Sequence, residues 1–163
     1  MVLDDVLERG LRVVFCGTAV GNRSAARRAY YAGPGNKFWA ILHRVGLTPP
    51  LEPEDFMRLP EYGIGLTDLA KNRSGVDNQI HQEDYDVAGF RRNIEKYRPQ
   101  VVAFNGKKAA EVFLGRSVQY GLQMETIGMT MIFVLPSSSG AAAAYWDESE
   151  WKNLTKFLTG RKN

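Results

Sequence analysis

The sequence has 163 residues, of which 44% are hydrophobic and 24% are charged, and its formal net charge is +3. A chain of this length can form one hydrophobic core without disulfides or a structural metal, so residues 1–163 are predicted to form a single domain. One cysteine, Cys16, excludes an internal disulfide framework, a four-cysteine iron–sulfur cluster and a thiolate-rich zinc site. Apolar runs are too short to span a bilayer and the first residues lack a signal-peptide pattern. We therefore expect a cytoplasmic, monomeric protein with no membrane partner.

The charged residues are unevenly distributed along the chain. Residues 10–51 contain six basic residues and no acidic one, and residues 151–163 contain four basic residues and no acidic one. Such a distribution suits a polyanionic ligand, of which nucleic acid is the most common. The alternative is two solvated faces of different charge. The basic residues are Arg12, Arg23, Arg27, Arg28, Lys37, Arg44, Lys152, Lys156, Arg161 and Lys162.

Short apolar runs alternate with helical patterns along the chain. Four runs of apolar or β-branched residues end in Gly, Asp, Asn or Ser, which is typical of buried strands. This alternation predicts an α/β fold, a three-layer α/β/α sandwich with a small, mostly parallel four-stranded central sheet. In chain order the predicted elements are strand 11–17, helix 37–45, strand 62–68, helix 87–97, strand 100–106, helix 107–114, strand 130–137 and helix 147–158.

Ligands bind beyond the carboxyl ends of the strands in a sheet of this kind. The first of these ends, residues 17–21, lacks the glycine spacing and the following acid of a dinucleotide fingerprint. Gly106 and Lys107, at another end, do not complete a P-loop. No cofactor is therefore predicted. The four segments at the predicted strand ends are residues 17–21, 67–68, 105–107 and 136–140.

The histidines and serines do not form a catalytic constellation in the sequence. His43 and His81 are far from each other and from any carboxylate pair at metal-ligand spacing, so no metal site is predicted. Ser137, Ser138 and Ser139 lack a partner histidine, which argues against a serine hydrolase. Three hydroxyl groups in a tight turn can instead contact phosphates.

Residues 30–39, with the sequence YYAGPGNKFW, combine aromatic and turn residues. The turn residues return the chain into a helix and leave Tyr30, Tyr31 or both near the end of the first strand. An aromatic side chain beside a backbone-lined loop in a basic region can stack on a nucleobase. The alternative is that Phe38 and Trp39 belong to the core and the tyrosines only cover it.

Five segments, in this order, resemble the mismatch-specific uracil and thymine DNA glycosylases of the uracil-DNA glycosylase superfamily. Together they cover nearly the whole chain, and the combination of AGPGN-x-FW with PSSS is specific. The resemblance also implies a small parallel sheet between helices, in agreement with the pattern above. The segments are residues 17–24, YAGPGNKFW at 31–39, GIGLTDL at 63–69, YRPQVVAFNGK at 97–107 and LPSSSGAAA at 135–143.

The resemblance implies an enzyme that flips a damaged or mismatched base out of DNA and hydrolyses its N-glycosidic bond, with neither metal nor cofactor. Extruding a base costs least at a mispair. Tyr31 matches the aromatic that stacks on the base, the backbone N–H of Thr18 matches a donor to a pyrimidine carbonyl, and Ser24 matches a side chain near C5. The other matching base contacts are Gly17, Ala19, Asn105 and Ser137, and the DNA contacts are Ser137, Ser138, Ser139, Gly140 and Ala141.

The first motif departs from the family pattern. It usually reads G-x-N-P-G, and its Asn positions the attacking water, whereas this sequence has Ala19 and Val20 at the Asn and Pro places. Loss of such a group typically lowers a rate by about 10²–10⁴-fold. We predict that Asp68 takes over by accepting a proton from water, stabilising a cationic sugar or accepting uracil N3–H. The alternatives are Thr18, Asn22 and Asn105 as the replacement, and a structural role of Asp68 as a cap or turn residue.

The second motif also departs from the pattern. Relatives follow the serine turn with a large residue, often Arg, that fills the hole left by the flipped base, and this sequence has Ala141 there. A small residue cannot fill the base stack, so we expect weaker penetration of duplex DNA and less dependence on the opposing base. Single-stranded DNA is therefore a candidate substrate.

These observations predict a DNA glycosylase of base excision repair that removes uracil, or another deaminated or mismatched base, and leaves an abasic site. Its expected partner is DNA containing uracil or an abasic site. Ala19 motivates an alternative, a weak or inactive protein that binds damaged or abasic DNA. A further alternative is an enzyme that acts on a free nucleoside or nucleotide.

Overall fold

The computed structural model describes residues 1–76 and 79–159, so the predicted basic residues Arg161 and Lys162 lie outside the described residues. The strands are β1 (Val13–Val20), β2 (Ile64–Ser74), β3 (Val101–Asn105), β4 (Gly121–Ile127) and β5 (Thr130–Leu135). The α-helices are α1 (Asn22–Arg27), α2 (Phe38–Arg44), α3 (Val87–Tyr97), α4 (Lys107–Leu114) and α5 (Glu148–Thr155), and 3-10 helices span Pro53–Tyr62, Gln82–Asp84 and Gly140–Tyr145.

The strands form one mostly parallel sheet in the order β2-β1-β3-β5-β4. β1 pairs in parallel with β2 and β3, β3 pairs in parallel with β5, and β4 is antiparallel to β5. The α/β prediction is confirmed, and each of the four predicted strands overlaps a strand of the sheet. The predicted number of strands was wrong, because the sheet has five strands in the described part of the chain and not four.

The unpredicted strand, β4, lies at the edge of the sheet, and its hydrophobic pattern is inverted, with apolar residues facing solvent and polar residues facing the protein. Its apolar residues Leu122 and Met124 are exposed, whereas Gln123 and Glu125 are half-buried. A two-residue turn with Gly128 at φ 58° connects β4 to β5. Polar side chains on the inner face are allowed at an edge, so hydrophobic alternation did not identify this strand.

The two strands that begin the predicted site are longer than predicted. The turn-forming residues Gly17 and Asp68 were expected to end them, but β1 continues to Val20 and β2 to Ser74. Gly17 pairs with Asp68 in the ladder. Residues 17–20 are therefore strand rather than loop, and Asp68 lies inside a strand rather than at its exit, because backbone pairing continues past these residues.

The helices cover both faces of the sheet and make three layers. On one face, α2 and α5 pack with the 3-10 helix Pro53–Tyr62 on a cluster that includes Phe15, Phe38 and Trp151. On the other face, α3 and α4 pack on a cluster that includes Phe90, Phe104 and Phe113. Among the described residues, no helix has the length and apolar character needed to cross a membrane.

Candidate active site

A cleft opens beyond the last pair of large apolar side chains that β1 and β2 place on one side of the sheet. Phe15 and Leu66 face each other in the core, and the next pair on the same side of the sheet is Gly17 and Asp68. A Cβ atom on Gly17 would lie 3.1 Å from Asp68 Oδ1 and 3.7 Å from the Tyr31 hydroxyl. Because Gly17 has no side chain, these two groups reach the floor of a cleft of about 800 Å³.

Asp68 is a buried carboxylic acid, and one of its oxygen atoms lacks a hydrogen-bond partner among the described residues. It is 4% exposed, and its Oδ2 atom has no hydrogen-bond partner among the described residues. The Lys71 ammonium lies 3.8 Å from this oxygen, too far for a hydrogen bond. Burial raises the pKa of Asp68 to about 6, against the lowering effect of Lys71. A group with this pKa and a free lone pair is suited to accept a proton near neutral pH.

Tyr31 is held in an uncommon backbone conformation beside the cleft floor. Its φ of 54° lies in the left-handed region, which a non-glycine residue rarely adopts. One face of its ring stacks on Phe38, with the ring centroids 4.1 Å apart. Its hydroxyl is buried and has no hydrogen-bond partner among the described residues. The ring therefore has a firm support on one face and lines the cleft.

Two loops and the end of β3 form one wall of the cleft. The Lys37 N–H donates to the Ser138 carbonyl at 2.8 Å, and a Cβ atom on Gly140 would lie 2.7 Å from the Pro34 carbonyl oxygen. The Asn105 amide donates to Ser138 Oγ and accepts from the Ser138 N–H, both at 2.9 Å. These contacts fix the loops to each other and to the sheet.

The serine turn at the cleft rim is ordered by its own hydroxyl groups. Ser137 Oγ accepts from the Ser139 N–H, and Ser139 Oγ accepts from the Ala141 N–H, both at 3.2 Å. Ser138 is 1% exposed, whereas Ser137 and Ser139 are half-buried and Ala141 is exposed. Ser137 and Ser139 are therefore the more accessible of the three predicted phosphate contacts.

The cleft has a basic rim above an acidic floor. Arg23, Lys107 and Lys108 are its basic lining residues, and Asp68 is the acidic one among the residues described. Such a rim attracts a polyanion by its field. Within residues 1–76 and 79–159, no three His, Cys, Asp or Glu side chains lie together in a way that could hold a metal ion.

Comparison with known proteins assigns this architecture to a family. The family model of the uracil DNA glycosylase superfamily matches residues 5–158. The chain belongs to this superfamily. It is also similar to the solution NMR structure of a candidate uracil DNA glycosylase from Methanosarcina acetivorans, with 25% sequence identity and a TM-score of 0.65. The similarity covers 95% of this chain and 94% of that chain.

All the predicted site residues of this superfamily member line the same cleft, although their roles stay predictions. This agreement follows from topology, because the carboxyl-end segments of parallel strands meet at one edge of the sheet. The residues are Gly17, Thr18, Ala19, Asn22, Ser24, Tyr31, Asp68, Asn105, Ser137, Ser138, Ser139, Gly140 and Ala141.

Some of these side chains also make contacts within the protein. Ser24 is buried, and its hydroxyl accepts from the Ala32 N–H at 2.8 Å. The Asn22 side-chain oxygen accepts from the Ser74 hydroxyl at 3.0 Å. Ala19 is half-buried and, by strand alternation, lies on the same side of the sheet as Gly17. Its methyl group cannot hold a water molecule by hydrogen bonds.

Sequence reasoning missed three charged residues at this site. Lys108 lines the cleft next to Lys107, and its position after a strand end and at the start of a helix was an available signal. Lys71 and Asp5 lie close to Asp68 but outside the cleft lining. No sequence motif indicated this second pair, because it depends on where the N-terminal segment packs.

Proposed function

We propose that this superfamily member is a monofunctional DNA glycosylase of the mismatch-specific uracil and thymine type that removes uracil from DNA. The observation that carries the proposal is the Asp68 carboxylate, which is buried at the cleft floor with one oxygen unpartnered among the described residues. The basic rim supports a DNA substrate, and the supported ring of Tyr31 offers a surface for an extruded base.

The end of β1 supports base recognition by the backbone. β1 pairs with β3 only as far as Cys16, whereas its pairing with β2 continues past Gly17. Residues 17–20 of β1 lie beyond the last pair with β3 and line the cleft. Peptide groups there, with that of Thr18 as the predicted donor, can bind the carbonyl groups of a pyrimidine and stabilise its negative charge as it leaves.

Asp68 supplies the group for the hydrolytic step. Above its pKa of about 6 the carboxylate is ionised, so it can accept a proton from water as the water oxygen bonds to C1′ of the sugar and the N-glycosidic bond breaks. Its charge also stabilises the positive charge that develops on the sugar. The departing base takes the bonding electrons, and its anion is protonated afterwards.

An oligonucleotide with one uracil tests the proposal. The protein is incubated with labelled single-stranded DNA and with G·U and A·U duplexes, and abasic sites are cleaved with alkali. We expect cleavage at the uracil position in at least one of these substrates and none in matched thymine DNA. Intact uracil strands in all three substrates, at enzyme excess, would show that the protein is not a uracil glycosylase.

Two substitutions of Tyr31 distinguish the contribution of ring stacking to excision from the contribution of the hydroxyl group. Tyr31→Ala removes the ring beside the base, and stacking of one base is worth about 1–3 kcal/mol. We therefore expect single-turnover excision by Tyr31→Ala to fall by about 10–100-fold at subsaturating protein. Tyr31→Phe keeps the ring and should stay within about threefold of the parent rate. Equal rates for Tyr31→Ala and the parent would remove Tyr31 from the base-binding site, and circular dichroism shows whether each variant folds.

Ala19 supports a second candidate function, a non-catalytic binder of abasic DNA, because its methyl group cannot position water. This candidate predicts tight, salt-sensitive binding to abasic oligonucleotides and no base release at any enzyme excess. Binding and cleavage measured on one set of uracil, thymine, hypoxanthine and abasic oligonucleotides distinguish the two functions.

A further inference from the structure

The N-terminal segment pairs with the outer edge of β2, the strand that carries Asp68. Val6 and Leu66 exchange two backbone hydrogen bonds of 2.9 Å, and the Val2 N–H donates to the Lys71 carbonyl at 2.9 Å. A Cβ atom on Gly65 would lie 2.5 Å from the Val6 carbonyl oxygen, so glycine permits this close approach. The segment is thereby fixed in register, with Asp5 next to the side chains that extend from β2.

Three charged side chains lie in a row where this segment meets β2. They are Asp5, Lys71 and Asp68. Asp5 Oδ1 accepts from the Thr67 hydroxyl at 2.8 Å and from the Lys71 ammonium. The same ammonium lies 3.8 Å from Asp68 Oδ2. The side chains of Lys71 and Asp5 are 16% and 19% exposed, and neither residue lines the cleft. Solvent therefore screens these charges only weakly, and substrate in the cleft does not need to contact them.

The position of Lys71 between two carboxylates has a chemical consequence. Its ammonium makes a hydrogen bond to Asp5 and only a longer electrostatic contact to Asp68. A hydrogen bond from Lys71 to Asp68 Oδ2 would occupy the lone pair that a base needs. The observed arrangement stabilises the ionised form of Asp68 by charge and leaves that oxygen without a hydrogen-bond partner among the described residues.

We infer that Lys71, held by Asp5, is a positioning residue that keeps Asp68 ionised for the hydrolytic step without hydrogen-bonding to its Oδ2 atom. This inference rests on the proposed role of Asp68 in uracil excision. Lys71 acts through Asp68 and does not line the cleft, so it is not itself a catalytic residue.

The other titratable groups that face Asp68 are neutral at working pH. They are the Cys16 thiol from β1 and the hydroxyl groups of Tyr30 and Tyr31 from the segment after α1. Burial raises the pKa of each of these groups above its ordinary value. Lys71 from β2 and Asp5 from the N-terminal segment are therefore the charged groups that face Asp68 among the described residues.

The test is a direct titration of the Asp68 carboxyl carbon by NMR in the DNA-free full chain, assigned with Asp68→Asn. Lys71→Met should raise the titration midpoint by about one pH unit or more, because an opposite charge at this distance lowers an acid's pKa by about 1–3 units. Asp5→Asn should lower the midpoint, since it removes a like charge and frees Lys71 to approach Asp68. Lys71→Arg should restore the parent value to within about half a unit.

Lys96→Met is the matched control, because Lys96 is exposed in the last turn of α3, shortly before β3 begins, and does not line the cleft. It removes the same charge and should leave the midpoint unchanged. The pH–rate profile of uracil excision should shift in the same direction as the midpoint in Lys71→Met and Asp5→Asn. A Lys71→Met midpoint equal to that of the parent would overturn the inference; if Lys71→Met does not fold, an unshifted midpoint in Asp5→Asn has the same meaning.

Uracil release tests the proposed function, and the NMR titration midpoints test this inference, so the two can fail independently. If the parent protein releases no uracil, the proposed function fails, while the NMR midpoints still decide whether Lys71 and Asp5 control the charge of Asp68. If the parent releases uracil and Asp68→Asn does not, an unshifted midpoint in Lys71→Met rejects the inference and leaves the proposed function standing.

Discussion

Asp68→Asn should remove most of the uracil excision activity and should make the protein more stable at neutral pH. The amide cannot accept a proton from water, and loss of such a group typically lowers a rate by about 10²–10⁴-fold. The amide also keeps the size of the side chain, so the cleft keeps its shape. Single-turnover excision measured at pH 8, where the parent carboxylate is ionised, checks the first part of the prediction.

The stability gain follows from the raised pKa of Asp68. Its pKa is about 6 in the folded protein and has an ordinary value of 3.8, so between these values the folded state holds a proton that the unfolded state has lost. The free energy of unfolding therefore falls as the pH rises through this window, and the full penalty remains above it. A difference of about two pH units corresponds to about 3 kcal/mol, which sets the upper limit of the gain.

Thermal melting of the parent and Asp68→Asn at pH 4 and pH 8 measures this effect. At pH 8 the variant should melt several degrees higher than the parent, and the gap should shrink at pH 4. Glu95→Gln, an acid-to-amide change at an exposed position of α3, should leave both melting and excision unchanged. Parent-like excision would contradict the proposed role of Asp68 in hydrolysis. A lower melting temperature than the parent at pH 8 would contradict the prediction that the ionised Asp68 carboxylate destabilises the folded protein.

Local sequence patterns predicted the helices whose first and last residues carry clear start and stop signals. Helices 87–97 and 107–114 coincide with α3 and α4, because glycine, proline and charged residues mark their ends. The site residues meet in one cleft because parallel topology alone brings the strand ends together. These predictions needed no long-range contact.

The remaining features depend on tertiary contacts that local patterns do not contain. β4 presents Met124 to solvent at a sheet edge, against the usual alternation. β2 continues past Asp68 because its backbone finds partners in β1. The Asp5–Lys71 contact joins residues from two separate segments, so no local motif could indicate it. The position of Asp68 in the cleft was predictable from the sequence, whereas its contacts with Lys71 and the N-terminal segment were not.

A second substitution tests whether Asp68 performs the role that an asparagine has in the family's first motif. Ala19 lies two residues beyond Gly17 on the same side of the sheet, and it lines the cleft. In Ala19→Asn the new amide offers one acceptor and two donors, which suffice to hold a water molecule. Combined with Asp68→Asn, it should recover excision by about tenfold or more relative to Asp68→Asn alone.

The same substitution in the parent background should change excision by less than about threefold, because in the proposed mechanism the ionised carboxylate already orients water and one further group adds little. Ala19→Leu with Asp68→Asn is the matched control, since leucine has nearly the shape of asparagine without its hydrogen-bonding groups, and it should recover nothing. Recovery by the leucine variant would assign the effect to packing. No recovery by the asparagine variant, with both proteins folded, would show that residues 19 and 68 are not interchangeable and that Asp68 acts on the sugar or the base rather than on water.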